Sequence, residues 1–579
     1  MITCAKRTDE PISHLRAEAS RNRFGVEKVK RAFLKKRSVF VRKVAALAVL
    51  SGTLFVWGIG VGWGQQTTPP TIDLGAQGAV HVTLNGASSG DRLEIIRVAD
   101  VNGDGVDDVV VAGRLANGPE GFRFDAGGVF IVLGGVDLIR GTTRDLHDRA
   151  DIVIHGADAN DRLGTSLAVG DVNGDGIADI IVGAPGADGP GEARSGAGEL
   201  YVIFGGPHLM RGTIRDMAGL VAPGADMVIF GPEPLASLGS SLAVGDVNGD
   251  GVEDIIAGAA TSSLPQGERL FAGTLYVVFG SRDFASGLAR DLADPWNADV
   301  TIFGPGLLSF FGFQIAVGDV NGDGVPDIVT SAPLADGPQN ERPEAGEVYV
   351  IFGSVQLVRG TVRDVAPGSV AGADVVIFGA AAQDLLGYTL LLAEVTGDGV
   401  LDLVVGALQA DGPERKRPDA GEVYIFFGGG AFASSAARDV AGLVAPAPDV
   451  VLYGAEPFDE FGAALAAVDL DGNGIADLVV GAPGGDAKEN QKIDAGEVYV
   501  FFDRNISQSG TVRDAGQPDL IVFGANNGER AGSFIAFGDV NGDGVLDLLV
   551  SAPEGGGVRL SAGSVYIVFG PLMPPAGGG

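Results

Sequence analysis

The chain has 579 residues, of which 93 are glycine and 29 are proline, while 46% are hydrophobic. This composition excludes a disordered chain and favours many short strands joined by tight turns. The formal net charge of −34 argues against nucleic acid as a partner. The single cysteine, Cys4, excludes a disulfide framework and a multi-cysteine metal site.

The N-terminal segment differs from the rest of the chain in charge and hydropathy. Residues 1–43 form a basic n-region with 13 Lys/Arg and four Asp/Glu. Residues 44–64 carry no charge and predict the apolar region of a signal peptide or, as the alternative, an uncleaved membrane anchor. We therefore expect export, a linker over residues 65–78, and membrane contact only through an uncleaved N-terminal segment.

One acidic string recurs seven times along the chain. Five copies of the form Asp-x-Asn-Gly-Asp-Gly-x-x-Asp start at Asp100, Asp171, Asp246, Asp319 and Asp539. Degenerate copies start at Glu394 and Asp469, and successive starts lie 70 to 75 residues apart. This spacing indicates one repeat array over residues 79–570, followed by a flexible tail over residues 571–579.

Each unit contains four short apolar segments that are rich in β-branched and aromatic residues. In the second unit they are Leu163–Gly170, Ile177–Pro185, Gly198–Gly205 and Asp226–Gly231. Such segments, bounded by Gly or Pro, predict strands. The predicted fold class is therefore all-β, a seven-bladed β-propeller of four-stranded antiparallel blades. A parallel β-helix has shorter repeats, and the leucine pattern of leucine-rich repeats is absent.

The repeat frame is offset at its two ends. Val80–Gly86 matches the fourth strand of the other units, whereas the last unit stops at Gly563–Gly570, which matches a third strand. We predict that Val80–Leu84 completes the last blade and closes the ring, since closure removes free sheet edges.

The acidic loops carry oxygen donors at positions 1, 3, 5 and 9, and position 7 offers a backbone carbonyl. Three carboxylates with neutral oxygens, and no His or Cys, favour Ca²⁺ over zinc or copper, and over Mg²⁺ with its stricter geometry. The alternative is that Asn-Gly-Asp-Gly only makes good turns, but a plain turn does not need clustered carboxylates, which repel one another. The loops lack the position-12 Glu of an EF-hand, and strands flank them.

We predict up to seven structural Ca²⁺ ions, with the fifth loop as the weakest candidate. The predicted metal ligands, with position 7 as the carbonyl, are Asp100, Asn102, Asp104, Val106, Asp108, Asp171, Asn173, Asp175, Ile177, Asp179, Asp246, Asn248, Asp250, Val252, Asp254, Asp319, Asn321, Asp323, Val325, Asp327, Glu394, Thr396, Asp398, Val400, Asp402, Asp469, Asp471, Asn473, Ile475, Asp477, Asp539, Asn541, Asp543, Val545 and Asp547.

The loops and their flanks resemble the FG-GAP repeat. Phe461-Gly462 precedes the sixth loop and Gly481-Ala482-Pro483 follows it. Over residues 79–570 the chain is similar to the integrin α-subunit propeller and to bacterial secreted FG-GAP proteins. The resemblance implies Ca²⁺ on the lower face of the propeller. The first unit departs from the pattern at Gly113-Arg114, and no blade carries an inserted domain, so integrin adhesion does not transfer directly.

The sequence offers few candidate catalytic residues. The histidines after the apolar segment are His81, His147, His155 and His208, and none lies in a nucleophile motif. Varied polar loops between the second and third strands suit either recognition or plain solvated turns. The repeated Arg-Gly-Thr-x-Arg-Asp favours a structural role, in which Arg215, Arg363 or Arg513 pairs with nearby acidic loops.

These observations favour a non-catalytic binding or adhesion module for a surface protein or glycan. We expect it to be monomeric and secreted or displayed at the cell surface. The first alternative is an extracellular hydrolase or lyase built on the propeller, and the second is a structural envelope protein. Fold alone does not decide among the three.

Overall fold

The structure is a computed structural model that describes residues 69–572, except 136–137, 139, 220–223, 265–268, 368–371, 434–435, 443–445, 488–489 and 556–560. The predicted basic n-region, the apolar segment and tail residues 573–579 lie outside the described residues. Within the described part of the chain, no helix has the length and apolar character that crossing a membrane requires.

Short strands make up nearly all of the regular structure. In chain order they are β1 (Thr71–Asp73), β2 (Val82–Asn85), β3 (Leu93–Ala99), β4 (Asp108–Gly113), β5 (Gly128–Val132), β6 (Thr142–Asp145), β7 (Ile152–His155), β8 (Ser166–Gly170), β9 (Asp179–Ala184), β10 (Glu199–Ile203), β11 (Thr213–Asp216), β12 (Met227–Phe230), β13 (Leu238–Gly245), β14 (Asp254–Ala259), β15 (Thr274–Val278), β16 (Leu288–Asp291), β17 (Val300–Phe303), β18 (Ile315–Gly318), β19 (Asp327–Ala332), β20 (Glu347–Ile351), β21 (Thr361–Asp364), β22 (Val375–Phe378), β23 (Leu386–Ala393), β24 (Asp402–Ala407), β25 (Glu422–Phe426), β26 (Ala437–Asp439), β27 (Val450–Tyr453), β28 (Ala464–Val468), β29 (Asp477–Ala482), β30 (Glu497–Phe501), β31 (Thr511–Asp514), β32 (Leu520–Phe523), β33 (Phe534–Gly538), β34 (Asp547–Ala552) and β35 (Ser564–Val568).

The helical elements are single turns. Two α-helical turns span Leu146–Arg149 and Gly430–Ala433. Short 3₁₀ turns span Pro119–Gly121, Pro190–Glu192, Pro338–Asn340, Pro413–Arg415 and Asp503–Asn505.

The strands form seven sheets, the blades of a propeller. From inner to outer strand, blade 1 is β3-β4-β5-β7-β11, blade 2 is β8-β9-β10-β12-β16, blade 3 is β13-β14-β15-β17-β21, blade 4 is β18-β19-β20-β22-β26, blade 5 is β23-β24-β25-β27-β31, blade 6 is β28-β29-β30-β32-β1 and blade 7 is β33-β34-β35-β2-β6. The predicted seven-bladed all-β propeller is confirmed.

Each blade has a fifth strand that the sequence analysis did not predict. The first four strands are antiparallel, as expected, but the outermost strand pairs in parallel with the fourth. In six blades it comes from the connection between the third and fourth strands of the next unit, so that Thr213 of unit 2 pairs with Ile152 of blade 1, whereas in blade 6 it is the N-terminal strand β1. Each blade therefore receives its outermost strand from the sequence of the next unit around the ring.

The N-terminal strands close the ring, as predicted. β2 pairs with β35 and places Leu84 opposite Val565. β1 lies within the range predicted as a linker, yet it forms the outer strand of blade 6, where Ile72 pairs with Val522. The inner strands of adjacent blades contact one another in turn, and β33 of blade 7 returns to β3 of blade 1.

The hydrophobic core consists of seven layers, each between two neighbouring blades. In the layer between blades 5 and 6, Ile425 and Leu452 pack with Leu478 and Val480, all fully buried. This arrangement explains why the second and third strands are apolar on both faces, since the sheet is covered on both sides.

Close approach between blades explains the glycines of Gly-Ala-Pro and Phe-Gly. A Cβ added at Gly481 of blade 6 would lie 2.0 Å from the carbonyl oxygen of Gly532, at the entry to blade 7. The same relation holds between Gly183 and the oxygen of Gly239, at 2.3 Å. Glycine is thus required where the backbones of adjacent blades touch.

Candidate metal centres

The seven acidic loops connect the first and second strands of their blades, so they share one end of the propeller, which we call the acidic-loop end. In the second loop, Asp171 accepts hydrogen bonds from the backbone N–H of Asp175 at 3.0 Å and of Gly176 at 2.8 Å. The amide oxygen of Asn173 accepts from Asp175, and the carboxylate of Asp175 accepts from the N–H of Ile177, each at 2.9 Å. Positions 1, 3 and 5 thus turn their oxygens into the curl of the loop.

The position-nine aspartate ties each loop to its blade. In blade 2, Asp179 is fully buried and accepts the N–H of Val172 at 3.1 Å and of Gly205, just after the third strand, at 2.8 Å. Its counterparts make the same pair of bonds. They are Asp108, Asp254, Asp327, Asp402, Asp477 and Asp547. This residue therefore organises the fold whether or not it binds a cation.

Burial makes these carboxyls hard to ionise without a nearby cation. Burial, opposed by the backbone N–H bonds and reinforced by the other loop carboxylates, raises the pKa to about 7 at Asp108, Asp179, Asp254 and Asp327. The pKa of Asp402, Asp477 and Asp547 is raised to about 6 for the same reasons. A divalent cation in the loop would supply the positive charge that favours ionisation.

The sixth loop brings its carboxylates closest together. Oxygens of Asp469, Asp471 and Asp477 all lie within 4.8 Å of one another, a grouping found nowhere else among the described residues. The cause is the exchange of Asp for Asn at position 3, which places an acid beside Asp469. Asn473 at position 5 donates instead to Asp503, at 2.9 Å. The donor set of this loop fits a hard cation such as Ca²⁺.

The fifth loop keeps the same curl despite its substitutions. Glu394 accepts the N–H of Asp398 at 3.2 Å, as Asp does at position 1 in the six other loops, and in addition the N–H of Thr396 at 3.0 Å. Asp402 remains fully buried at position 9. The extra methylene of Glu394 is therefore accommodated, and carboxylates at positions 1, 5 and 9 remain in one loop.

The prediction that Arg215, Arg363 or Arg513 pairs with the acidic loops is wrong for the ion pairs found among the described residues. Arg215 and Arg363 instead reach Asp226 and Asp374, which directly precede the fourth strand, at 3.4 and 2.8 Å. Arg513 lies 3.9 Å from Asp519, the equivalent residue. Both partners belong to the connection between the third and fourth strands of one unit. Its Thr-x-Arg-Asp segment forms the outer strand of the preceding blade, next to the aspartate before the fourth strand.

A second set of ion pairs, at the end opposite the acidic loops, was not foreseen. A basic residue from the loop between the second and third strands binds the terminal Asp of the fifth strand in the same blade. The pairs are Arg123–Asp216 at 2.6 Å, Arg194–Asp291 at 2.7 Å, Arg269–Asp364 at 2.5 Å, Arg342–Asp439 at 2.6 Å, Arg417–Asp514 at 2.6 Å and Lys492–Asp73 at 2.7 Å. The available signal was weak, since Arg-Pro recurs only at Arg342-Pro343 and Arg417-Pro418.

One of the histidines belongs to the ring closure. His81 occupies the position that aspartate holds before the other fourth strands, and its Nδ1 accepts the N–H of Phe569 at 2.7 Å. Arg140 contacts the other ring nitrogen at 3.0 Å. Burial, together with Arg140, lowers the pKa of His81. This histidine therefore has a structural role in blade 7.

Comparison with known proteins agrees with the geometry. The FG-GAP repeat model matches residues 163–203, 238–278, 311–351, 386–426, 461–501 and 531–568. Phosphatidylinositol-glycan-specific phospholipase D of Homo sapiens is 29% identical over 334 residues, which are 55% of this chain and 35% of that protein. Integrin alpha-PS2 of Drosophila melanogaster is 29% identical over 282 residues, 47% of this chain and 16% of that protein.

A further relative, integrin alpha-5 of Xenopus laevis, is 27% identical over 254 residues, 42% of this chain and 20% of that protein. The chain thus spans well under half the length of each of these relatives. Six matched repeats in a closed seven-bladed ring identify the chain as an FG-GAP repeat protein with an integrin alpha-like β-propeller.

Proposed function

We propose that this chain is an exported, calcium-binding module that attaches to a surface protein or glycan without catalysing a reaction. The observation that carries the proposal is the separation of two ends of one rigid ring. Acidic loops with nearly identical geometry occupy one end, whereas loops of varied sequence occupy the other. Invariant geometry suits structural metal sites, and varied loops on a rigid scaffold suit recognition.

Calcium would be held by the carboxylates at positions 1, 5 and 9, the oxygen at position 3 and the carbonyl at position 7, with Asp471 replacing the position-5 carboxylate in the sixth loop. When bound, the ion would neutralise the mutual repulsion of the loop carboxylates. The chain's own residues would do the rest: position 1 curls the loop and position 9 anchors it to the third strand.

Export is supported by the basic and apolar N-terminal sequence together with the proposed calcium requirement, since millimolar Ca²⁺ is typical of extracellular modules. Its test is the distribution of the chain between cell, membrane and medium fractions, with and without residues 1–64.

The binding role is tested by applying the full chain to glycan and matrix-protein arrays in 2 mM Ca²⁺ and in EDTA. A calcium-dependent signal on a ligand class supports the proposal. A blank array from folded, calcium-loaded protein contradicts it.

A second candidate function is that of an extracellular hydrolase or lyase, which the phosphatidylinositol-glycan-specific phospholipase D relatives favour. Because the chain spans only 35% of the human protein, the activity in that name is a proposal here. Turnover of a phosphodiester or polysaccharide panel by the full chain would support the enzyme and displace the binding module.

A further inference from the structure

Blade 6 breaks the repeat immediately after its third strand. In the six other units a glycine stands there, and a Cβ on it would lie 2.0 to 2.5 Å from a backbone oxygen. These glycines are Gly134, Gly205, Gly280, Gly353, Gly428 and Gly570. In blade 6 the residues are Asp503-Arg504-Asn505, which form a 3₁₀ turn while the N–H of Asp503 still bonds Asp477 at 3.0 Å.

The turn changes the ion pair behind it. In units 1 to 4 the strand arginine lies 2.8 to 3.4 Å from the aspartate before the fourth strand, as Arg363 lies 2.8 Å from Asp374. In blade 6, Asn505 donates to both carboxylate oxygens of Asp519 at 2.9 Å. The guanidinium nitrogen of Arg513 lies 3.9 Å from the same carboxylate. One nitrogen of Arg513 donates to the backbone oxygen of Gln517 at 2.7 Å, and only the longer 3.9 Å contact engages the guanidinium with a carboxylate.

A cavity of about 370 Å³ opens in front of this arginine. It is lined by Arg504, Asn505, Gln508, Thr511, Arg513 and Gln517, and this described lining contains no carboxylate. The lining has two permanent positive charges and four neutral polar side chains, in a chain whose net charge is −34. Arg504 is paired with Asp471 and Arg513 lies 3.9 Å from Asp519, so the cavity offers a small oxyanion the remaining arginine N–H groups, while the protein as a whole repels an extended polyanion.

Arg504 is placed to take part in binding. Its guanidinium carbon lies 4.2 Å from the ring centroid of Phe502, which supports the side chain from one side. One of its nitrogens is 2.8 Å from Asp471 of the sixth acidic loop, and the side chain is 55% exposed. The arginine therefore presents further N–H donors to the cavity from a supported position.

We propose that this cavity binds an acidic sugar through its oxyanion, the carboxylate of a uronate. Arg504 and Arg513 are the cationic groups, and Asn505, Gln508 and Gln517 are hydrogen-bonding partners for ring hydroxyls. The amide-rich lining favours a polyhydroxylated ligand over an aliphatic one, because each sugar hydroxyl both donates and accepts. The inference rests on the proposed binding function and names its ligand class.

Calorimetric titration of the full chain in constant 2 mM CaCl₂ tests the assignment, with glucuronate, glucose, inorganic sulfate and N-acetylglutamate as probes. We expect saturable glucuronate binding, weakened about tenfold or more by Arg504→Ala and by Arg513→Ala, because charge-assisted hydrogen bonds are lost. Arg282→Ala removes an exposed positive charge after the third strand of blade 3 and should leave the affinity unchanged. Melting curves must show that all three variants are folded.

No saturable glucuronate binding, or unchanged affinity in both Arg504→Ala and Arg513→Ala, overturns the proposal. Equal affinity for sulfate alone or for N-acetylglutamate overturns the sugar assignment, because the hydroxyl contacts then contribute nothing. If the titrations show no glucuronate binding but the arrays give a calcium-dependent signal, only the assignment of this cavity is wrong. If the arrays are blank but glucuronate binds specifically, the adhesion function is wrong and the assignment of the cavity stands.

Discussion

Arg342 and Asp439 form a two-pronged ion pair across 97 residues of sequence, with nitrogen–oxygen distances of 2.9 and 2.6 Å. Arg342 leaves blade 4 in the loop after its second strand, and Asp439 ends the strand that unit 5 contributes to the same blade. The carboxylate is fully buried, and the arginine side chain is 14% exposed. This contact fastens the exchanged strand to its host blade.

Removing one partner of this pair should be costly. Arg342→Ala leaves a buried carboxylate without its cation, and we expect a loss of about 3–5 kcal/mol in unfolding free energy. The double variant Arg342→Ala/Asp439→Ala should recover part of that loss, since no unpaired charge remains. Urea denaturation of the set measures the coupling, and additive single-variant effects would contradict the role given to the pair.

The blade contact at Gly481 gives a second prediction. The Cβ of Gly481→Ala would lie 2.0 Å from the backbone oxygen of Gly532, so blades 6 and 7 must separate locally. We expect a loss of about 1–3 kcal/mol or more, as for overpacked cores. The control is Gly430→Ala, at an exposed helical position with no atom within 4 Å of the new Cβ, where alanine should be neutral or stabilising. Equal stability of the two variants would contradict the packing argument.

Ring closure by the N-terminal strands predicts that they are indispensable. Deleting residues 1–86 removes β1 and β2, including the fully buried Val82 and Leu84, and exposes the apolar edge of blade 7. Such a chain should lose its cooperative thermal transition or aggregate. A chain starting at residue 68 keeps both strands and serves as the control. An equal melting temperature for the two would refute closure.

Asp459, at the end opposite the acidic loops, predicts a pH dependence. Burial raises the pKa of Asp459 to about 8, and the carboxylates of Glu497, Glu456 and Asp486 add to the rise. The backbone N–H of Glu456, which donates to Asp459 at 3.0 Å, opposes it. The native state thus holds a proton that the unfolded chain releases near pH 4. This contribution to stability is greatest in acid and is lost as the pH rises towards 8.

Asp459→Asn mimics the protonated acid and removes that dependence. Relative to the unsubstituted chain, the variant should gain stability as the pH rises from 5 to 8, at up to about 1.4 kcal/mol per pH unit. Denaturation at pH 5.5, 7 and 8.5 measures the difference, with the exposed Asp494→Asn as the control. A difference that stays constant with pH would show that Asp459 ionises normally.

Much of the fold was predictable because its signals are local and repeated. Gly-bounded apolar segments predicted the antiparallel strands, and the offset of Val80–Gly86 predicted the closure. The fifth strand was missed because Thr-x-Arg-Asp has four residues and an exposed alternate position, as at Val362, so hydropathy gives no strand signal. Its pairing depends on a partner in the preceding unit, which local sequence does not identify.

The candidate sites were predictable to different degrees. The acidic loops follow from spacing alone, although the anchoring role of residues such as Asp179 required the distant Gly205 to be placed beside them. The cavity of blade 6 was not predicted. Its available signal was Asp503-Arg504 in place of the glycine that ends the third strand in the other units, a departure from the repeat that becomes meaningful only in three dimensions.

Calcium is the central claim, and thermal unfolding with and without the ion tests it most directly. The full chain, freed of metal, should melt at a lower temperature in EDTA than in 2 mM CaCl₂, because an ion that binds only the native state adds about 2.7 kcal/mol per site at 100 times its dissociation constant. Equimolar MgCl₂ should have a smaller effect, since Mg²⁺ demands stricter geometry. Superimposable melts in EDTA and CaCl₂ would contradict the assignment of the acidic loops as metal centres.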